Sequence, residues 1–535
     1  MKKVSIRVFL IIILAQYHVV TFAQNVGLGL LAPAGKMHIK GSADVSQLII
    51  DAHSTQGNIN PLIKLRKSSG TDLLWIHSDD STNIFLGLKA GKANVIGPQG
   101  VNNAFIGSRA GYSNTNGRDN TIVGTNAFFS NTKASQNTVV GTNALYTQSF
   151  APGGAFWESK NVAIGYEALY SNQPTNTGNG VNNTAVGTFS LRFNTTGTSN
   201  TANGTYALYL NTTGSNNTAD GDFSLSSNTV GSNNTALGRY TLHSNTTASG
   251  NTAIGINALY TQSFNNDGNI WTSDNVAIGY ETLYSNQPSA TNFGVDNTAV
   301  GNYSLRANTT GASNTACGRD ALVNNLTGWY NSAFGYQTLY SHVSGDYVTG
   351  IGDFANTSVG NLSNATALGT NATVNASYKV RIGGSSVTVV EGQVAYSWPS
   401  DGRFKENIHD DVKGLDFILE LKPVSYNFNR LAYAQHIKEH LTPDIEKTLI
   451  EESQHRSVGF IAQDVEILIE QTGFTSFDAV HAPTNETDNY SMGYAEFVVP
   501  LVKGMQEQQV VIERQQSQID ALKSAIEKLL GEHKN

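Results

Sequence analysis

The pentapeptide Asn-Thr-Ala-(Val/Ile/Leu)-Gly, with small variations, recurs through the middle of this chain, starting at Asn103, Asn120, Asn137, Asn161, Asn183, Asn200, Asn217, Asn234, Asn251, Asn275, Asn297, Asn314 and Asn331. Successive starts are 17, 17, 24, 22, 17 and 17 residues apart, and the same six intervals then repeat, so a 17-residue coil is nested in a 114-residue duplication. A short fixed period constrains the fold severely, because one unit cannot bury its own apolar face and stacked units must supply a continuous core. The expected class is mainly β: a repetitive β-solenoid or β-roll fibre.

Each unit carries two apolar beats, such as Ala185-Val186 and Phe189-Leu191, separated by Gly187 and followed by the polar turn Asn194-Thr195-Thr196-Gly197. This pattern predicts two short strands per coil, with glycine at the corners and asparagine in tight turns that tolerate positive φ. Apolar positions held in phase over thirteen units argue against low-complexity disorder. The repeats resemble the head regions of trimeric bacterial adhesins, with a somewhat longer period than is usual there.

Two coils break the core rule. Where the others place Val, Ile, Leu, Phe or Cys before the glycine, the coils at Asn200 and Asn217 place Asn203 and Asp220. Two readings stand: a polar layer at a trimer axis, satisfied by water or an ion, or a solvent-exposed face. Cys317, at the same position, is expected to be a small buried hydrophobe. The 24-residue coils carry insertions over 146–159 and 260–273 with Phe150, Trp157, Phe264 and Trp271, aromatics that could meet a partner or glycan and are expected to pack against a neighbouring chain. Recurring Asn-Thr-Thr sequons such as Asn211-Thr212-Thr213 follow from turn chemistry and are not read as glycosylation sites.

At 535 residues the chain is too long for one core, yet only 14% of residues are charged and 52 are glycine, which suits neither an ordinary enzyme nor a disordered tail. A net charge of −8 with a pI near 5.8 gives no footprint for nucleic acid. Met1-Lys2-Lys3, an apolar run from Val8 toward Phe22 and the small residue Ala23 have the layout of a secretory signal peptide cleaved after Ala23. Gln16, Tyr17 and His18 interrupt that run, leaving it too short to span a membrane. With Cys317 the only cysteine, no internal disulfide can form. The mature protein is therefore expected to be secreted or on a bacterial cell surface, with no membrane span after signal removal. No cofactor or metal site is expected, since the sequence holds no zinc-spaced histidine cluster and no phosphate-binding glycine loop in strand-to-helix context.

Alternating runs at 47–51, 62–65 and 73–77 predict a β-rich N-terminal cap over 24–100, and the repeats occupy 101–345. Lys379 to Ile382 and Val387 to Val390 read as strands of a β stalk over 346–399. An α+β domain over 400–500 and a coiled-coil helix over 501–535 complete the chain.

The strongest chemical signal follows Pro399. The run Ser400-Asp401-Gly402-Arg403-Phe404-Lys405-Glu406-Asn407-Ile408 sets a serine five residues before a lysine. A serine hydroxyl is a poor nucleophile at neutral pH unless a base stands within hydrogen-bond reach, and lysine serves once burial or nearby cations lower its pKa. Alone, such a pair is ordinarily a turn with a solvated charge. Downstream, however, come Leu421-Lys422-Pro423-Val424-Ser425-Tyr426-Asn427-Phe428, then Val458-Gly459-Phe460-Ile461-Ala462-Gln463-Asp464-Val465-Glu466, Tyr490 to Tyr494, and Glu496-Phe497-Val498-Val499-Pro500-Leu501. In this order, from Ser400 to the C-terminus, they resemble the self-cleaving intramolecular-chaperone domain found at the C-termini of phage endosialidase tailspikes and many bacterial surface fibres. The resemblance implies that Ser400 and Lys405 form a catalytic dyad that cuts the chain's own backbone between Pro399 and Ser400.

Val498, Met505, Ile512, Ile519 and Ile526 recur every seven residues, with Leu501, Gln508, Gln515, Leu522 and Leu529 filling the second core position, which predicts a coiled coil. Ile followed by Leu in those positions favours two strands by rule, whereas the resemblance implies three, and the two Gln layers blur the rule. A homotrimer is the reading taken. The functional expectation is a secreted fibrous protein whose C-terminal domain trimerises, assists folding of the repeats and then autocleaves before Ser400. The alternative is a non-cleaving trimeric adhesin for an unnamed cell-surface or glycan ligand, with that domain only a trimerisation foot.

Overall fold

The computed structural model describes residues 26–28, 37–39, 48–53, 56–95, 97–154, 156–394 and 396–532. The signal-peptide reading over 1–23 lies outside the described residues. Through the repeats each pentapeptide forms one three-residue strand, such as Thr184–Val186, Thr201–Asn203 and Thr218–Asp220. Successive strands pair parallel with Thr on Thr and Ala on Ala. This in-register stacking is a β-solenoid of about 17 turns. It runs beyond 101–345 on both sides, from Ile84–Leu86 to Thr349–Ile351, Thr366–Leu368 and Val380–Ile382. At the N-terminal end the hairpin Ile63–Arg66 and Asp72–His77 pairs antiparallel, and Asp72–His77 pairs antiparallel with Ile84–Leu86. No pairing among the described strands joins Val380–Ile382 back to that hairpin, so the ladder is open. Residues 387–390 form no strand.

The expected second strand of each coil is absent. The second beat is instead a turn in which Phe189 and Leu191 adopt left-handed φ of 61° and 48°, and the equivalents Leu208, Leu225, Leu242 and Leu259 do the same at 49–51°. A left-handed residue other than glycine costs about 1–2 kcal/mol, and full burial of a leucine returns about 1.5–3 kcal/mol; these leucines are all fully buried. The turn is therefore held by the core it fills. Among the described residues a second, two-residue strand pair forms at three places, as between Ala134–Ser135 and Trp157–Glu158.

Asparagines such as Asn182, Asn216 and Asn233 take the left-handed φ expected of turn residues, at 57–59°, and the leading asparagines have a further role. The first residue of each repeat is buried and forms a ladder along the fibre: Asn217 N–H donates to Asn200 Oδ1 at 3.0 Å, and Asn217 Nδ2 donates to the Gly231 carbonyl at 2.9 Å. A second ladder links Asn194, Asn211 and Asn228 amide to amide at 2.8 Å. Buried amides are stable only when hydrogen-bonded, and here the next coil supplies the partner. Asn211, first residue of a sequon, has its side chain fully enclosed in this ladder. Gly187, at φ 134°, shows why the corner residue is fixed: a Cβ there would stand 2.4 Å from the Gly204 carbonyl oxygen of the next coil.

Two further expectations are corrected, and the two readings of the polar coils both stand. In most strands the middle residue is an inward-pointing alanine and the flanking two point out, so in the single chain Cys317 is exposed and not buried. Asn203 and Asp220 are exposed in the single chain and joined by a 3.0 Å hydrogen bond. Trp157 and Trp271 are only 4% and 5% exposed and pack edge-on against Phe150 and Phe264 of their own coils, which removes them as surface anchors for another chain.

After the solenoid an α+β domain is built on helix Leu415–Glu420, the antiparallel pair Val424–Asn427 and Arg456–Gly459, and helices Arg430–His436, Pro443–Glu452 and Ala462–Thr472. Its core gathers Phe417, Val465, Leu468, Phe474, Phe477 and Phe497. One continuous helix, Val498–Glu532, ends the described chain and crosses Leu415–Glu420, where Glu507 accepts the Leu415 N–H at 2.6 Å. No helix among the described residues is long and apolar enough to cross a membrane.

Candidate functional site

Ser400 and Lys405 sit at either end of a short turn. Asp401 caps the single 3-10 turn Gly402–Phe404 by accepting the Arg403 N–H at 2.9 Å, and its carboxylate also binds the Arg403 guanidinium. Those hydrogen bonds to Arg403 hold the Asp401 carboxyl below the ordinary carboxylate value. The turn carries Lys405 back onto Ser400, and Nζ donates to Ser400 Oγ at 2.8 Å. The two residues singled out from the sequence are thus within the reach a nucleophile and its base require. With the proton shared in the opposite sense, the same contact would draw the hydroxyl proton to the amine.

The surroundings are open. Ser400 and Lys405 are both exposed, and so are Trp398 and Phe404, at 88% and 81%. Pro399, which supplies the carbonyl of the expected cut, has a ring-locked φ and no N–H, which narrows how that carbonyl can be offered. Among the described residues no cluster of His, Cys, Asp and Glu is arranged to hold a metal ion.

A second polar constellation went unnoticed in the sequence. Asp488, on the loop 482–490 of the α+β domain, is enclosed between that domain and the last solenoid coils. It bonds Lys379 Nζ at 2.9 Å, His481 Nε2 at 2.9 Å, and the Thr484 N–H at 2.9 Å. Burial alone would push its carboxyl upward, but Lys379, the Thr484 and Asn489 amides and His481 outweigh it and hold the group far below the ordinary range. Around it, Asn375 Nδ2 donates to the Thr487 carbonyl at 2.9 Å and Asn485 Nδ2 donates back to the Asn375 carbonyl at 2.7 Å. Glu439 accepts from the Ser385 N–H and hydroxyl, and the Phe354 and His440 rings stack at 3.7 Å. On the solenoid side Lys379 stands where most coils carry the leading asparagine, while Phe354 keeps the position that Phe189 and Phe223 hold in earlier coils. Nothing local marks Asp488, because Lys379 lies 109 residues away.

Residues 400–474 match the family model described as Chaperone of endosialidase, Peptidase_S74. No curated protein matches the chain. The match falls on the first part of the C-terminal domain, directly after the β-solenoid, and agrees with the family that the motifs from Ser400 onward resemble.

Proposed function

We propose that this protein is a secreted fibrous surface protein whose chaperone domain gathers three chains, assists the solenoid into register and then severs the Pro399–Ser400 bond. The observation that carries the cleavage step is the 2.8 Å contact between Lys405 Nζ and Ser400 Oγ. In the proposed reaction the neutral Lys405 amine takes the Ser400 hydroxyl proton while Oγ bonds to the Pro399 carbonyl carbon. The Pro399–Ser400 C–N bond then breaks, its nitrogen taking that proton, and water hydrolyses the resulting ester to leave a Pro399 carboxylate and a Ser400 with free amine and hydroxyl. An amine becomes a useful base when desolvated. The apolar residues Trp398, Phe404 and Ile408, exposed in the single chain, supply a surface that further copies would cover on assembly.

A chaperone attached to the solenoid answers a kinetic need. Long parallel β pairing is non-local, slow and prone to aggregation, and a temporary trimeriser lowers its entropic cost. The heptad stripe on Val498–Glu532 supports that role, with Met505 70% exposed and Ile512, Ile519 and Ile526 about half exposed.

The exposure of the Ser400–Lys405 pair favours a second reading, an adhesin whose uncleaved C-terminal domain is a trimerisation foot. Intact mass of the exported protein separates the two. Cleavage leaves a C-terminal fragment of 136 residues beginning at Ser400, and it should vanish in both Ser400→Ala and Lys405→Ala. A full-length wild-type chain selects the foot; persistent cutting at that bond in Ser400→Ala assigns it to another nucleophile.

A further inference from the structure

We infer that the outward face of the solenoid sheet is a self-docking surface, on which further copies of this chain pack parallel and in register, with Asn203 and Asp220 as the register mark. This deepens the trimeric reading above and rests on it. The face consists of the first and third residues of each strand, the first row mostly Thr and the third row aliphatic. Ile164, Leu237 and Ile254 of that third row are 37–38% exposed, and Phe334 and Ile351 are 43% exposed. From Ile84–Leu86 to Thr366–Leu368, Asp220 is the single charged residue in either row. A solvated β face normally carries charge scattered along it, while an apolar row of this length marks an interaction surface.

Its size fits association. Strands about 4.8 Å apart over about sixteen steps give a length near 77 Å, and three residues give a width near 10 Å, so each copy offers roughly 800 Å², the usual contribution of one partner to a stable interface. The occupant follows from the same chain. A heptad helix with an exposed core stripe brings copies together side by side, and a rotation axis along the fibre sets identical coils at identical heights. In that arrangement the polar breach at Asn203 and Asp220 meets its own equivalents. A shift by even one coil would instead press an Asp220 carboxylate against an aliphatic side chain, where it has no partner.

In-register packing makes two observations unavoidable. Cys317 lies on this row, so Cys317 of one copy must face Cys317 of the next. The Asp220 carboxylates must also converge, which costs stability that Asp220→Asn restores. The test uses the purified, assembled wild-type protein and its native cysteine. Sizing should give an oligomer, a short bismaleimide should join chains in pairs on a denaturing gel, and a bulky polymer-maleimide should label Cys317 only after unfolding. Thr213→Cys in a Cys317→Ser background, on an exposed turn away from the sheet, should label freely and join no chains. Asp220→Asn should raise the unfolding temperature of the oligomer by a few degrees. An oligomer whose Cys317 takes the bulky reagent and forms no pairs overturns the docking face while leaving helix-driven assembly standing. A monomer by sizing overturns both. An unchanged unfolding temperature in Asp220→Asn overturns the in-register convergence.

Discussion

The solenoid and the chaperone domain solve the same problem with opposite means. In the solenoid nearly every partner lies one coil away, and each buried amide bonds the same amide of the next repeat, as Asn217 does with Asn200. In the chaperone domain the partners are distant and each occurs once, as with Leu415 and Glu507, 92 residues apart, or Asn375 and Thr487, 112 apart. The difference teaches where register comes from. A coil slipped by one repeat keeps its hydrogen bonds and its alanine-leucine core, so the repeats by themselves discriminate weakly between correct and shifted stacking. Discrimination must come from ends that cannot be exchanged, and Asp488 bonds Lys379, which replaces the leading asparagine of the repeats in the final coil.

The sharpest way to break this contrast is to remove the distant partners altogether. Truncation after Leu501 deletes most heptad layers and should convert a soluble oligomer into misfolded or aggregated chains, read by yield and sizing; soluble heat-resistant trimers from that truncation would refute the chaperone role. In a companion measurement, a purified 24–399 fragment should resist denaturant once formed yet fail to recover after dilution from full unfolding, whereas uncleaved Ser400→Ala protein recovers at least in part. Equal recovery of the two would make the C-terminal domain a passive anchor.

Next in size is the seam. Asp488→Ala leaves Lys379 and His481 facing an empty acceptor and should cost about 3 kcal/mol of docking stability, seen as lost hydrogen-exchange protection over 356–385. The sign with pH follows from the depressed carboxyl. Its stabilisation is fully present above the ordinary value of 3.8 and declines as pH falls below it toward the folded value, so docking should survive mild acid and weaken only in strong acid. Loss of docking already between pH 6 and 5 would show that Asp488 is not the governing group.

Within the repeats the same kind of deletion should stay local. Asn217→Ala strips a partner from the Asn234 N–H and from the Gly231 carbonyl, at about 2 kcal/mol for the stranded groups. Because the array is nearest-neighbour coupled, exchange should accelerate in the adjoining coils alone; acceleration along the whole fibre would show a more cooperative solenoid than its contacts suggest. Smallest is Ser400→Ala: with an exposed side chain whose one hydrogen bond runs to an exposed lysine, it should shift unfolding by less than about 0.5 kcal/mol. A larger shift would make the Ser400–Lys405 turn structural.

The seventeen-residue period, the glycine corners, the heptads and the Ser400–Lys405 spacing were all legible in the chain, because each is a relation between residues near in sequence. A period and its apolar phase suffice for a solenoid, since each coil's environment is the previous coil. The sequence did not decide how the second beat closes: Leu191 and its equivalents look like strand residues and become left-handed turns because a filled core outweighs their backbone preference. Tertiary structure also decided that the leading asparagines face inward as ladders, that Cys317 faces outward, and that Trp157 and Trp271 turn back onto their own coils. Above all it decided the seam. Asp488, Lys379 and Glu439 acquire meaning only when segments about a hundred residues apart meet, and no local pattern encodes a contact whose energy exists only after both sides have folded.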